Sequence, residues 1–195
     1  RHGGTRRSPS AAPAPSFRPS DVGPMALRAS GDGIWASVVD PEAPDETPIL
    51  YKTMLHPDAG RAWAELFVIA IDLSRVTLHA MAGAVAPEAL APEGKNYKRP
   101  ALVPPAEQAD LVVAFNGGFK AEHGRYGMRV DGVTLIAPRD GACTIAAYDD
   151  GSLRIAPWKE LDATEHEMRF LRQTPSCMYA HGKRHVGLAA EETTT

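Results

Sequence analysis

The chain has 195 residues, a mass of 20.9 kDa and a formal charge of -3, from 21 Lys and Arg against 24 Asp and Glu. That is room for one domain with or without a tail, and the wrong charge balance for a dedicated nucleic-acid binder. The longest apolar candidate, Leu66 to Leu73, is short and broken by Asp72, so no transmembrane segment is expected in this chain.

Hydrophobic residues make up 44% of the chain, but 31 of them are Ala, each burying little area, so the core is expected to be moderate. Seventeen Gly and 17 Pro fit turn-rich β structure. Residues 1–24 hold five Pro and four Arg against one acid and read as a Pro/Ala/Ser-rich linker that cannot offset its own ordering entropy. Such spacers follow removed export signals, which points to a secreted, periplasmic or cell-surface protein.

From Ile34 the text changes to short β-type runs: Ile34 to Val39, Ile49 to Leu55, Leu66 to Leu73, Val76 to Met81, Leu111 to Phe115, Tyr126 to Ile136, Thr144 to Tyr148 and Ser152 to Ala156. The near-continuous apolar runs Leu66 to Ile71 and Leu111 to Phe115 predict central strands covered on both faces. Asp131-Gly132 and Asp150-Gly151, each between β-formers, predict two hairpins. Gly83 to Pro105, with five prolines, reads as a long excursion, and Pro105 to Ala109 as a short helical turn. Glu160 to Leu171 is the best helix, with acids in its first turn and Arg169 and Arg172 at its end. The fold class is therefore α+β: a β-dominated mixed or antiparallel sheet with few helices.

Chemistry concentrates after the run Val112 to Phe115. There the chain continues Asn116-Gly117-Gly118-Phe119, so backbone amides without side chains can approach a ligand and favour an anion. Glu122, His123, Arg125 and Tyr126 follow closely, combining an acid or base, a neutral-pH proton carrier and a guanidinium suited to phosphate. His181 and His185 flank Gly182, which removes the shared helical face that metal ligation would use, so no metal site and no cofactor are expected. Cys143 and Cys177, the two cysteines, are compatible with one disulfide or with two buried thiols.

Several of these pieces, in this order, resemble the phosphodiester glycosidase family, the uncovering-enzyme-like N-acetylglucosamine-1-phosphodiester α-N-acetylglucosaminidase domains. The similarity rests on Thr53 to Asp58 with Arg61 to Ala64, on Asn116-Gly117-Gly118-Phe119, on the hairpin Gly127 to Gly132, and on Arg172-Gln173-Thr174-Pro175 through Gly182. Lys120 stands where such domains have a second aromatic residue, and their later Asp-Gly-Gly-Ser type motif is lacking. The resemblance implies that residues 25–195 are the N-terminal two-thirds of such a domain, its sheet completed by a separate C-terminal segment or second chain. It implies hydrolysis of a sugar-1-phosphodiester linkage in exported or cell-envelope glycans. Glu122 and Asp131 would be the catalytic acids, typically roughly 5 to 9 Å apart. Asn116, Gly117, Gly118, His123 and Arg125 would bind the carbohydrate or sugar-phosphate ligand. The alternative is a non-catalytic glycan- or protein-binding module, or a structural subunit of an extracytoplasmic assembly.

Overall fold

The computed structural model describes residues 17–23 and 25–184. Most of the expected linker, His185 and the terminal Glu191 to Thr195 lie outside the described residues. The chain divides into two compact units, up to Val76 and from Thr77 onward. Both are built from antiparallel strands joined by turns, and the second also holds short 3-10 segments. The fold is β-dominated with few helices, as the short alternating runs predict.

The first unit holds β1 (Ala36–Val38), β2 (Leu50–Leu55) and β3 (Leu66–Ile71), in the order β1-β2-β3. Tyr51, Thr53 and Leu55 alternate inward along β2, as period-two patterning requires. His56 is buried against Asp32, with Nδ1 2.9 Å from Oδ2. The Ala29 amide and then His56 hold the Asp32 carboxyl below its usual range. The prediction of a central strand fails for β3. It is an edge strand of this sheet, and Leu66, Phe67 and Ile69 are exposed.

The second unit is organised by five strands: β4 (Met128–Val130), β5 (Val133–Ile136), β6 (Cys143–Tyr148), β7 (Leu153–Pro157) and β8 (Met168–Thr174). Their order is β5-β4-β8-β6-β7. Both Asp-Gly hairpins form as predicted, joining β4 to β5 and β6 to β7. A small hairpin of β9 (Tyr179–Ala180) and β10 (Lys183–Arg184) follows. β8 sits at the centre of the five-stranded sheet, where a helix was expected. Residues 158–160 and 162–167 make only 3-10 turns, and Thr164 leaves helical φ/ψ. Met168, Phe170 and Leu171 then bury in strand geometry. Packing overrides the helix-like charge pattern here.

Paired residues share a sheet face and neighbours along a strand alternate, so the pairing of Leu171 with Arg129 and of Phe170 with Val130 puts two cores on opposite faces. One contains Ala146, Tyr148, Trp158, Leu161, Met168 and Leu171. The other contains Ala82, Met128, Val130 and Leu135, covered by the 80–97 excursion through Ala80, Ala89 and Tyr97. Each fully buried Leu contributes about 1.5–3 kcal/mol. Cys143 and Cys177 form a disulfide, Cα to Cα 4.7 Å, which ties the start of β6 to the turn after β8.

The other apolar run, Leu111 to Phe115, forms no strand among the described residues. Leu111, Val112, Val113 and Phe115 are exposed, and Phe115 retains 67% of its accessible surface. The residues have strand character, but no neighbouring strand pairs with them. Val76 to Met81 likewise stays outside the sheets. No helix among the described residues is long and apolar enough to cross a membrane.

Candidate functional site

The Asn116–Phe119 loop and the turn after it pack against Arg172 of β8, the central strand of the five-stranded sheet. Asn116 Oδ1 accepts a bond from the Gly118 amide at 3.2 Å, so one of the two expected bare amides is already engaged, in an Asx turn. A side chain at Gly117 would meet open space, whereas a Cβ at Gly118 would come within 2.6 Å of Arg172 Nε. Glycine is required at 118 for close approach, as the sequence indicates, but the group approaching is the protein's own guanidinium.

Residues 121–123 make a 3-10 turn, closed by Gly124 at φ 126°. A Cβ on Gly124 would lie 2.6 Å from the Tyr126 ring. Arg125 follows at φ 50°, a left-handed conformation unusual for a non-glycine residue. Its amide donates to the Ala121 carbonyl at 2.9 Å, while its guanidinium has no hydrogen bond or ion pair among the described residues. Glu122 is exposed, with Oε1 3.6 Å from Lys120 Nζ and 3.5 Å from His123 Nε2.

Glu122 and Arg125 line a cleft of about 830 Å³ whose other charged walls are Glu93 and Arg139 and whose apolar surface includes Leu90 and Ile136. Glu93 is placed by the 3-10 segment Pro92–Asn96. That segment docks on β5, because the Leu90 and Ala91 amides both donate to the Leu135 carbonyl and a Cβ at Gly94 would lie 2.9 Å from the Thr134 oxygen. Arg139 donates to the Gly124 carbonyl and stacks 5.4 Å from the Tyr126 ring centroid. Tyr126 in turn packs 5.7 Å from Phe119.

Beneath these groups, β8 supplies two buried polar side chains on opposite faces, since Arg172 pairs with Met128 and Gln173 with Thr144. Gln173 accepts from the Gly127 and Arg139 amides at 2.9 and 2.8 Å and donates to the Arg139 carbonyl and Thr144 Oγ1. Arg172 donates to the carbonyls of Tyr126, Gly127 and Phe119. Burial pushes the Arg172 pKa down.

The structure thus brings together Glu122 and Arg125 from the expected set. Asn116, Gly117, Gly118 and His123 belong to the same loop region but do not line the cleft. Asp131 is the residue whose expected role fits worst. It occupies the β4–β5 turn at φ 51°, and Oδ2 accepts the Tyr97 hydroxyl at 2.6 Å. Burial first, and then this bond, push the Tyr97 pKa up to about 12. Asp131 supplies the residue tolerant of positive φ that a type I′-like turn needs, and its carboxylate is taken up by Tyr97. Glu93 and Arg139 were missed by the sequence reading. The signal available for Glu93 was Pro-Glu-Gly inside the excursion, an acid between a residue that fixes φ and one that permits close backbone approach.

Among the described residues, no group of three metal-ligating side chains is assembled. No protein-family model matches the chain, and neither a curated protein nor a solved structure matches it. The family resemblance therefore stands on the short motifs alone.

Proposed function

We propose that the cleft beside the Asn116–Phe119 loop binds a sugar joined through its anomeric carbon to a phosphodiester, and hydrolyses that linkage. The observation that carries this reading is one cleft holding a guanidinium unpaired among the described residues, Arg125, with Glu122 from the same turn, and Glu93 and Arg139 from other segments. Arginine matches phosphate oxygens in two places, so Arg125 holds the phosphate, assisted by Arg139. Glu122 and Glu93 supply the two carboxylates that glycoside hydrolysis uses. One takes the proton of a water whose oxygen attacks the anomeric carbon. The bond from that carbon to the phosphate oxygen breaks, and its electrons leave on a phosphomonoester neutralised by the guanidinium groups. Glu93 takes the place that the sequence assigned to Asp131. Action outside the cytoplasm belongs to the same proposal, supported by the Cys143–Cys177 disulfide.

The test is release of free sugar from the methyl diester of α-N-acetylglucosamine 1-phosphate, and from the corresponding glucose and galactose compounds. The proposal expects sugar and methyl phosphate in equal amounts, with Glu122→Gln slower by about 100-fold. No release from any of them by the native material contradicts hydrolysis.

A second reading, a binding module or structural subunit completed by another chain, draws on a different observation. Val112 to Phe115 expose apolar side chains, and their backbone groups make no hydrogen bond among the described residues. A strand added from a second chain or a C-terminal fragment would satisfy both. Light scattering of the native material decides it, because a stable monomer of this chain removes the need for a complementing partner.

A further inference from the structure

The search for a function beyond the cleft leads to the buried charge beneath it. Arg172 retains only 7% of its accessible surface, and no carboxylate lies within ion-pair distance among the described residues. A buried guanidinium without a counter-charge is costly, so its hydrogen bonds must be doing something that an apolar residue could not. Nη1 donates to the Tyr126 and Gly127 carbonyls at 2.9 and 3.2 Å, and Nη2 donates to the Phe119 carbonyl. These acceptors are the two ends of a single excursion of the chain, residues 119–127. Between them stand Glu122 and Arg125, both on the cleft. Gly118 lets the fork come this close, since any Cβ there would strike the guanidinium.

We infer that Arg172 is the positioning residue of the cleft, its guanidinium on the central strand pinning both ends of the loop that carries Glu122 and Arg125. The planar fork holds acceptors on separate segments with two nitrogens in a fixed geometry, whereas the three donors of lysine radiate from one freely rotating nitrogen. Arg172 does not line the cleft. It acts by fixing where the turn can place its acid and its cation, the kind of support a preorganised site needs. The consequence for ligand binding rests on the phosphodiester reading of the cleft, whereas the consequence for the loop does not.

The test compares wild type with Arg172→Ala by peptide-resolved amide exchange and by equilibrium binding of the methyl diester of α-N-acetylglucosamine 1-phosphate. Exchange within residues 119–127 is expected to accelerate about tenfold or more, while β6 and β7 keep their wild-type protection. Millimolar guanidinium ion should restore the loop's protection and methylammonium should not. Affinity for the diester should fall and recover in parallel. Unchanged exchange in the loop, acceleration spread equally over the whole sheet, or absence of rescue by guanidinium would each overturn the role. Should the variant fail to fold, nitrogen NMR of the wild-type chain decides, because a pinned guanidinium gives resolved Nη signals and a freely rotating one gives averaged signals that contradict the clamp. If wild type does not bind the diester, the phosphodiester reading falls and the exchange data still judge the clamp.

Discussion

At Asp131-Gly132 and at Gly124-Arg125 the second unit places a non-glycine residue at positive φ, 51° and 50°, beside a glycine. In the first turn the side chain is consumed, because Asp131 accepts the Tyr97 hydroxyl and helps hold the 80–97 excursion to the sheet. In the second the side chain is left over, and Arg125 stands in a cleft without a partner among the described residues. The two glycines differ in the same sense. A Cβ at Gly132 would meet nothing, while one at Gly124 would press into the Tyr126 ring. Backbone strain alone therefore does not mark a functional residue. Under the proposed reading it points to one only where the strained residue's charge also lacks a partner among the described residues.

The largest expected effect tests the frame on which both turns depend. Replacing both cysteines by serine should cost about 3–4 kcal/mol in the chain-entropy account of a loop of this length, read as a lower midpoint in urea unfolding. A loss near zero would mean that the β6–β8 pairing holds these two strands together without the bridge. The next contrast is between the glycines. Gly132→Ala should cost about 1 kcal/mol, the steric price of left-handed backbone, whereas Gly124→Ala should cost about 2–3 kcal/mol because overpacking against Tyr126 is added. Equal losses would show that the Tyr126 contact places no constraint on the second turn.

Tyr97→Phe should have the smallest effect, about 1 kcal/mol, with no change in ligand binding. It also carries a pH signature. The folded Tyr97 pKa lies near 12, above the ordinary 10.0. Its neutral form is thus the one favoured by folding, and its contribution is complete below pH 10. That contribution is lost as pH rises from 10 toward 12. Thermal melts of wild type and variant should converge across that window. A constant gap would mean that Asp131 and Tyr97 are not coupled.

The parts of this fold that the sequence revealed are those governed by local rules. Asp-Gly turns between β-formers specify the β4–β5 and β6–β7 hairpins wherever the strands end up in the sheet. β8 was hidden because its polar residues are buried. Arg169 and Arg172 read as a charged helix end, yet Arg172 is nearly enclosed and the adjoining Gln173 wholly so, with backbone groups of distant segments among their partners. Such long-range satisfaction leaves no trace in local periodicity. The run Val112 to Phe115 failed in the opposite direction, since strand character without a neighbour does not make a strand. For the cleft, crowding of chemistry after Asn116 pointed to Glu122 and Arg125. Glu93 and Arg139 reach it only through the docking of the 80–97 excursion and the register of β5, which are tertiary facts.

The central claim is that the unpaired Arg125 makes this cleft a phosphate-binding site. The most direct measurement is a phosphorus NMR titration of the α-N-acetylglucosamine 1-phosphate methyl diester with wild type and with Arg125→Ala, both shown to melt alike. Binding by wild type and a loss of about 10- to 100-fold in the variant, the scale of a charged hydrogen bond, is the predicted result. Equal binding by the two proteins, or none by wild type, would contradict it.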